Sequence, residues 1–226
     1  MLEATTQFIN EYGNLLTEGV IDTLVMTSVA TFLAYVIGLP IGVFLITSDK
    51  KGICPSTPLN TMLGWIVNIV RSIPFIILLV AIIPFTRLIV GTSLGAPGAI
   101  VPLVITAAPF VARIVEQSLA EVDGSLVEAA QSFGTSNLQI VYKVLLWESL
   151  PSLIRGAALT FITLFGFSAM AGAVGAGGLG DIAIRYGYQR YQYDVMAVAV
   201  VLCVVLVQIV QSLGDVISRA INHHER

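Results

Sequence analysis

From Thr23 to Ser48 the chain carries no charged side chain. A helix needs ~20 predominantly apolar residues to cross the hydrocarbon core of a bilayer, so this run crosses it with room for tilt. Lipid offers no partner for backbone N–H and C=O groups, and a single segment of this kind closes its own bonds only as an α-helix. Similar runs recur along the chain. Charged residues make up 11% of it and hydrophobic residues 56%, where soluble domains carry roughly 25% charged residues. The sequence therefore predicts an all-α integral membrane protein, one domain over residues 1–226, with five transmembrane helices at about 22–47, 60–85, 98–120, 151–173 and 195–216. A semi-polar stretch at about 122–150, too polar to span, lies between the third and fourth.

Several function classes drop out at once. The net charge is -3 and there is no basic run or stacking aromatic series, so no nucleic-acid partner is expected. Cys54 and Cys203 lack CxxC spacing and read as structural bystanders rather than as a disulfide or metal pair. His223 and His224 read as a solvated tail, and no metal site is expected. The N-terminal stretch has Glu3, Glu11, Glu18 and Asp22 without Lys or Arg, unlike a secretory signal, so no cleavage is expected.

Within the spans, Gly38, Pro40 and Gly42 are expected to interrupt the first, and Pro102 and Pro109 to bend the third. Arg71, followed by Ser72, Ile73 and Pro74, falls inside the second. An unpaired arginine in a membrane costs about 2.5–3.5 kcal/mol on insertion scales, which marks either a solute pathway or a pairing with helix carbonyls freed by Pro74. The fourth span ends in GFSAMAGAVGAGGLG. Its small residues suit close helix packing and call for a partner face. In a second reading Met170, near Ser168, is a flexible apolar plug in a narrow pathway. The stretch from Asp181 to Asp194, with Arg185, Arg190 and interfacial tyrosines, reads as a short surface helix or re-entrant turn. Basic residues near span ends divide unequally, with Lys50, Lys51, Arg113, Lys143, Arg155, Arg219 and Arg226 against Arg87, Arg185 and Arg190. The richer side is expected to be cytoplasmic, which puts the N-terminus outside and the C-terminus inside.

The semi-polar stretch then faces the cytoplasm. Ser125 with Glu128 has S-x-x-E spacing, and Ser136 with Gln139 has S-x-x-Q spacing, so two short helices with capping boxes are predicted. Gly134 between them can close the first helix in the left-handed conformation. Leu126, Val127, Ala129, Ala130 and Phe133 form an apolar face with no partner inside the loop. Glu128, Ala129, Ala130 and Gly134, followed by the apolar run to Leu150 and Pro151, resemble the EAA loop of bacterial ABC importer permeases. The resemblance implies a coupling helix that docks on an ATPase, with Ser125, Glu128, Ala129, Ala130, Phe133 and Gly134 as the coupling residues. The plainer alternative is an ordinary helical hairpin in which Glu128 is only a cap.

VIGLPIGV, VNIVRSIPFIILL, IPFTRLIVGTSLG, AAPFVARIVE and SAMAGAVGAGGLG extend the resemblance along nearly the whole chain, to the methionine-importer permeases, small five-span members of the type I ABC importer fold. Family members usually carry proline where this chain has Trp147, a departure that bears on the angle of the second loop helix. The resemblance implies a non-catalytic permease of a bacterial inner membrane that works as a homodimer. It implies an ABC ATPase homodimer holding ATP and Mg, a periplasmic or lipid-anchored methionine-binding protein, and Met170, Ser168, Arg71 and Pro74 along the pathway. The subunit itself has no G-x-x-x-x-G-K-[ST] phosphate loop, so no bound cofactor is expected. L- and D-methionine or derivatives are the implied solutes. No set of polar residues marks a side-chain pocket, so another amino acid or small solute is the alternative.

Two further readings are weaker. Gly178, Leu179, Gly180 and Asp181 spell GxGD, and Tyr193 with Asp194 spells the YD of intramembrane aspartyl proteases. The order is reversed and both lie in an arginine-rich outer loop, whereas a shared-proton dyad needs two carboxylates a few ångströms apart in a guarded site. A passive channel has no use for a capped hairpin.

Overall fold

The computed structural model describes residues 2–221, with side chains from residue 6. His223, His224 and Arg226, and the side chain of Glu3, lie outside the described residues. Among the described residues four helices are long and apolar enough to cross a membrane: α1 (Leu2–Thr47), α5 (Gly95–Ala120), α9 (Leu150–Gly172) and α11 (Tyr193–Ile221). A fifth crossing exists only if α2 (Thr57–Arg71) and α3 (Phe75–Ala81) count together as one bent span. The expected single span over 60–85 is therefore a broken one. Pro74 lacks an N–H and disfavours helical geometry in the residue before it, so α2 ends at Arg71 and α3 begins after Pro74. Helix α4 (Ile83–Val90) follows across Ile82.

Helix α1 also departs from expectation. It runs unbroken through Pro40 for 46 residues, about 69 Å at 1.5 Å per residue, roughly twice the hydrocarbon thickness. Gly38 and Gly42 do not interrupt it. They let it touch α5: a Cβ on Gly38 would sit 2.6 Å from the Ala108 carbonyl oxygen, and one on Gly42 2.5 Å from that of Ala112. The helix stops where Ser48 Oγ turns back to Phe44 O and Asn60 Nδ2 donates to Leu45 O at 2.6 Å.

Contacts divide the chain into two units, 1–31 with 74–105 and 161–210, and 32–73 with 106–160 and 211–226. In the first, Leu16, Ile182, Val195 and Ala199 form a buried cluster joining α1 to α10 (Gly178–Ile182) and α11. The Leu179 N–H donates to Thr23 Oγ1 at 2.9 Å, and Gly178, at φ +78°, admits that approach because a Cβ would lie 2.6 Å from the same oxygen. A Cβ on Gly172 would strike the backbone of Gly180 and Asp181, and one on Gly180 would strike Ala169. Some of the small residues around Met170 are thus used by α9 and α10 of the same chain, while Gly166 has nothing within 4 Å of where a Cβ would stand and Ala173, Val174 and Gly175 are exposed, so part of this face stays open to a partner. After α10, residues Ala183–Tyr188 form a π-helical turn.

In the second unit Leu45, Val67 and Ala112 form the core, with Ile41 and Leu63 packed on it. Arg113 in α5 pairs with Glu116 and donates to Asn68 Oδ1 at 3.0 Å and Gly64 O at 3.3 Å in α2. Arg113 is thus a partnered charge among the spans, whereas the sequence drew attention to Arg71 as a pathway residue or a partner of carbonyls near Pro74. Arg71 instead sits exposed in the last turn of α2, where a cation complements the carbonyl end of a helix. Among the described residues its side chain makes no hydrogen bond or ion pair, so of the two readings offered for Arg71 the pairing with carbonyls near Pro74 is not formed here.

Candidate functional site

The semi-polar stretch folds as two helical pieces about a tight turn. The first, α6 (Gly124–Ser132), is capped by Asp123, whose carboxylate accepts the Ser125 N–H at 2.9 Å. That bond holds the Asp123 carboxyl below the usual carboxylate range. The S-x-x-E box at Ser125 is therefore not used. An aspartate two residues earlier supplies the cap, Ser125 is already helical, and Glu128 is left exposed rather than folded back as a capping partner. The second box does form: Ser136 Oγ accepts the Gln139 N–H and Gln139 Oε1 accepts the Ser136 N–H at 3.2 Å, opening α7 (Asn137–Ile140).

Between them Gly134 stands at φ +73°, and the Thr135 N–H reaches back to Ala130 O at 3.1 Å. This is the left-handed closure that satisfies the last carbonyls of a helix. Beyond α7 a π-helical turn, Val141–Leu145, leads into α8 (Leu146–Glu148). Ser149 Oγ, donating to Leu145 O at 2.7 Å, links it to α9. Trp147 sits in α8, just after this π turn, so the second loop helix is carried through the π turn rather than bent by a proline.

Ile140 and Leu145 are buried and anchor the hairpin, while Phe133 is 88% exposed and Leu138 71% exposed. Ala129 is exposed and Ala130 half-buried. The six residues singled out on the loop thus lie on α6 and the turn closing it. Phe133, a large apolar side chain exposed at the tip of a well-capped turn, suits a partner surface. Sequence reasoning missed the loop after α1. A cavity of about 400 Å3 is walled by Asp49, Lys51 and Ile53 on one side and by Val127, Glu128 and Gln131 on the other. Cys54, read as a bystander, accepts a hydrogen bond from Asn137 Nδ2 at 2.9 Å. The available signal was Lys50 and Lys51, which placed this loop on the hairpin side.

Of the pathway candidates, Met170 is half exposed two residues before the end of α9. Ser168 is buried and donates to Phe165 O at 2.7 Å, so its hydroxyl proton is used within α9. Pro74 caps α3, and the next residue, Phe75, stacks on Phe167 with ring centroids 4.8 Å apart. The fold thereby brings the start of α3 against the segment carrying Ser168. Arg71 belongs to the other contact unit. Asp181 of the GxGD tetrad is ion-paired with Arg185 at 2.6 Å, the arrangement of a helix-surface pair rather than of a shared-proton dyad.

Residues 38–223 match the family described as binding-protein-dependent transport system inner membrane component. The chain is 54% identical over 202 residues to the Vibrio cholerae "Probable D-methionine transport system permease protein MetI", covering 89% of this chain and 90% of that protein. It is 54% identical over 158 residues to the Escherichia coli K12 D-methionine transport system permease protein MetI, covering 70% and 73% of the two chains. The fold superposes on a solved inward-facing structure of the MetNI methionine ABC transporter with a TM-score of 0.93 at 52% identity, covering 94% of this chain and 99% of that one. An amino acid ABC transporter solved with histidines shares the fold at a TM-score of 0.78 and 20% identity.

Proposed function

The chain belongs to the binding-protein-dependent transport system inner membrane component family, and from that premise we propose that it is the permease of an ATP-driven importer of methionine, in its L- and D-forms. The observation that carries this reading is the 52% identity and 0.93 TM-score to the methionine transporter over 94% of the chain. A likeness confined to the hairpin would support an importer of any solute. This subunit performs no chemistry. Two copies line the pathway, two ATPase subunits bind ATP and Mg, and a methionine-binding protein outside delivers the solute.

The hairpin is the contact with the ATPase, with Phe133 and the exposed face of α6 entering a cleft there. Aromatic side chains in desolvated pockets carry much of the binding energy at such contacts. When ATP closes the ATPase dimer, the docked hairpins move with it and rock the spans as rigid bodies, opening the outer end. The unequal distribution of lysine and arginine supports a hairpin in the cytoplasm and an N-terminus outside.

The test is purification with the ATPase expressed beside it, then methionine uptake in proteoliposomes supplied with the binding protein. ATP-dependent uptake of methionine over other amino acids is the expected result. Failure to retain any ATPase, or equal uptake of unrelated amino acids, defeats the assignment. Met170 lies near the outer end of the pathway in this reading. A cysteine placed there in a background lacking Cys54 and Cys203 should react with an impermeant thiol reagent from outside in the ATP-bound state and about tenfold more slowly without nucleotide, a ratio corresponding to ~1.4 kcal/mol between gate states. Equal rates in every nucleotide state remove Met170 from the gate.

A further inference from the structure

An apolar groove of about 410 Å3 runs between the end of the first span and the second hairpin helix. Leu39, Val43 and Phe44 form one wall and Leu138, Val141 and Leu146 the other, with Cys54 and Asn137 at one end. We propose that this groove holds one acyl chain of an anionic phospholipid from the leaflet on the hairpin side, its phosphate met by Lys50, Lys51 and Lys143.

Three observations select lipid as the occupant. One wall is the span itself, and the groove continues the exposed strip of Val36, Ile37 and Phe44 on α1, a surface that lies in hydrocarbon. The opposite helix carries Tyr142, 67% exposed, and Trp147, 60% exposed, the amphipathic rings that settle at headgroup level. Lys50 and Lys51 close the span at this level and Lys143 adjoins Tyr142 in sequence, all three exposed. Lysines beside an apolar slot at a membrane surface attract acidic headgroups. The local carboxylate, Asp49, already accepts the Lys51 backbone N–H at 3.2 Å. The exposed tip at Phe133 does not line this groove, so lipid and a protein partner need not compete. The proposal does not depend on which solute is moved or which side of the membrane the hairpin faces.

Cys54, at the end of the groove, is a built-in probe. In the full chain carrying Cys203→Ala and reconstituted in nanodiscs, Cys54 should react with N-ethylmaleimide about tenfold more slowly with phosphatidylglycerol than with phosphatidylcholine alone. Native mass spectrometry of the same sample should retain one phosphatidylglycerol per chain. Val43→Trp fills the groove and should abolish both effects. The triple variant Lys50→Gln, Lys51→Gln, Lys143→Gln should keep bound lipid but lose the preference for phosphatidylglycerol. If Val43→Trp does not fold, the wild-type comparison and the lysine variant still decide the matter. Equal labelling in both lipids overturns the proposal. So does protection that coincides with a Cys54 cross-link between two copies, which makes the groove an interface between chains.

Discussion

Replacing Gly134 by valine should leave the protein inserted and folded and remove most of its transport. Gly134 sits at φ +73° with nothing within 4 Å of where a Cβ would stand, so the obstacle is conformation rather than space. An L-residue in the left-handed region costs about 1–2 kcal/mol, and a β-branched one is a genuine outlier there. The hairpin is exposed and short, so it relieves that strain by unwinding the last turn of α6, where the Thr135 N–H meets Ala130 O. Phe133 then loses its fixed direction. A loss of ~2 kcal/mol in docking is roughly a 30-fold fall in affinity. Gly134→Asn is the control, because asparagine tolerates left-handed geometry, and it should transport within about twofold of the parent. Methionine uptake, ATPase retention and ATP hydrolysis measured together separate a docking defect from a folding defect. Near-normal uptake with Gly134→Val would refute the coupling role given to the turn.

Glu128→Gln, by contrast, should leave the hairpin folded. With Asp123 as the cap, Glu128 is not needed for helix closure, and it shares a cavity wall with Lys51 and Asp49. A strong transport defect in Glu128→Gln therefore points to a charge contact at a partner surface.

What could be read from the chain follows the range of the interactions concerned. Apolar runs report their own membrane affinity, and the Ser136–Gln139 box and the Gly134 turn are local devices, so both were legible. Two competing local signals were not separable: Asp123 and Ser125 are both good caps, and the backbone chose the aspartate. Long-range facts were hidden altogether. The polar-looking stretch around Glu11, Glu18 and Asp22 is helical because Leu16 packs on Ile182 and Val195, far along the chain. Arg113 gave a faint signal through the i,i+3 spacing to Glu116, but its bonds to Gly64 and Asn68 depend on where α2 lies. One of the two readings of Arg71 had Pro74 freeing carbonyls for it within a continuous span, and the proline ended the helix instead.

Gly38 and Gly42 show most directly why a local rule can mislead, and they carry the largest expected effect on folding. Glycine beside proline in a helix reads as an interruption, yet the spacing of four residues puts both on one side of α1, facing Ala108 and Ala112 of α5, which have the same spacing. Without a hydrophobic driving force inside lipid, such helix pairs are held by close packing. A Cβ on Gly42 would lie 2.5 Å from Ala112 O and 2.6 Å from Val115 Cβ, and Val115 is fully buried. Backbone oxygen cannot rotate out of the way, so α1 must withdraw from α5 along this face. Overpacking of this kind costs typically 1–3 kcal/mol per site, and withdrawal also strips contacts from Leu45 and Ile41. Gly42→Val should therefore insert but fail to hold a stable fold in detergent, and Gly38→Ala with Gly42→Ala should lower the unfolding temperature by several degrees. Gly13→Ala is the contrast: its Cβ would meet only Ile9 of the same helix at 3.6 Å, and replacing a helical glycine there should gain roughly 0.5–1 kcal/mol. Thermal unfolding followed by fluorescence-detected gel filtration ranks the three, and a Gly42→Val protein as stable as the Gly13→Ala one would show that α1 does not depend on this contact.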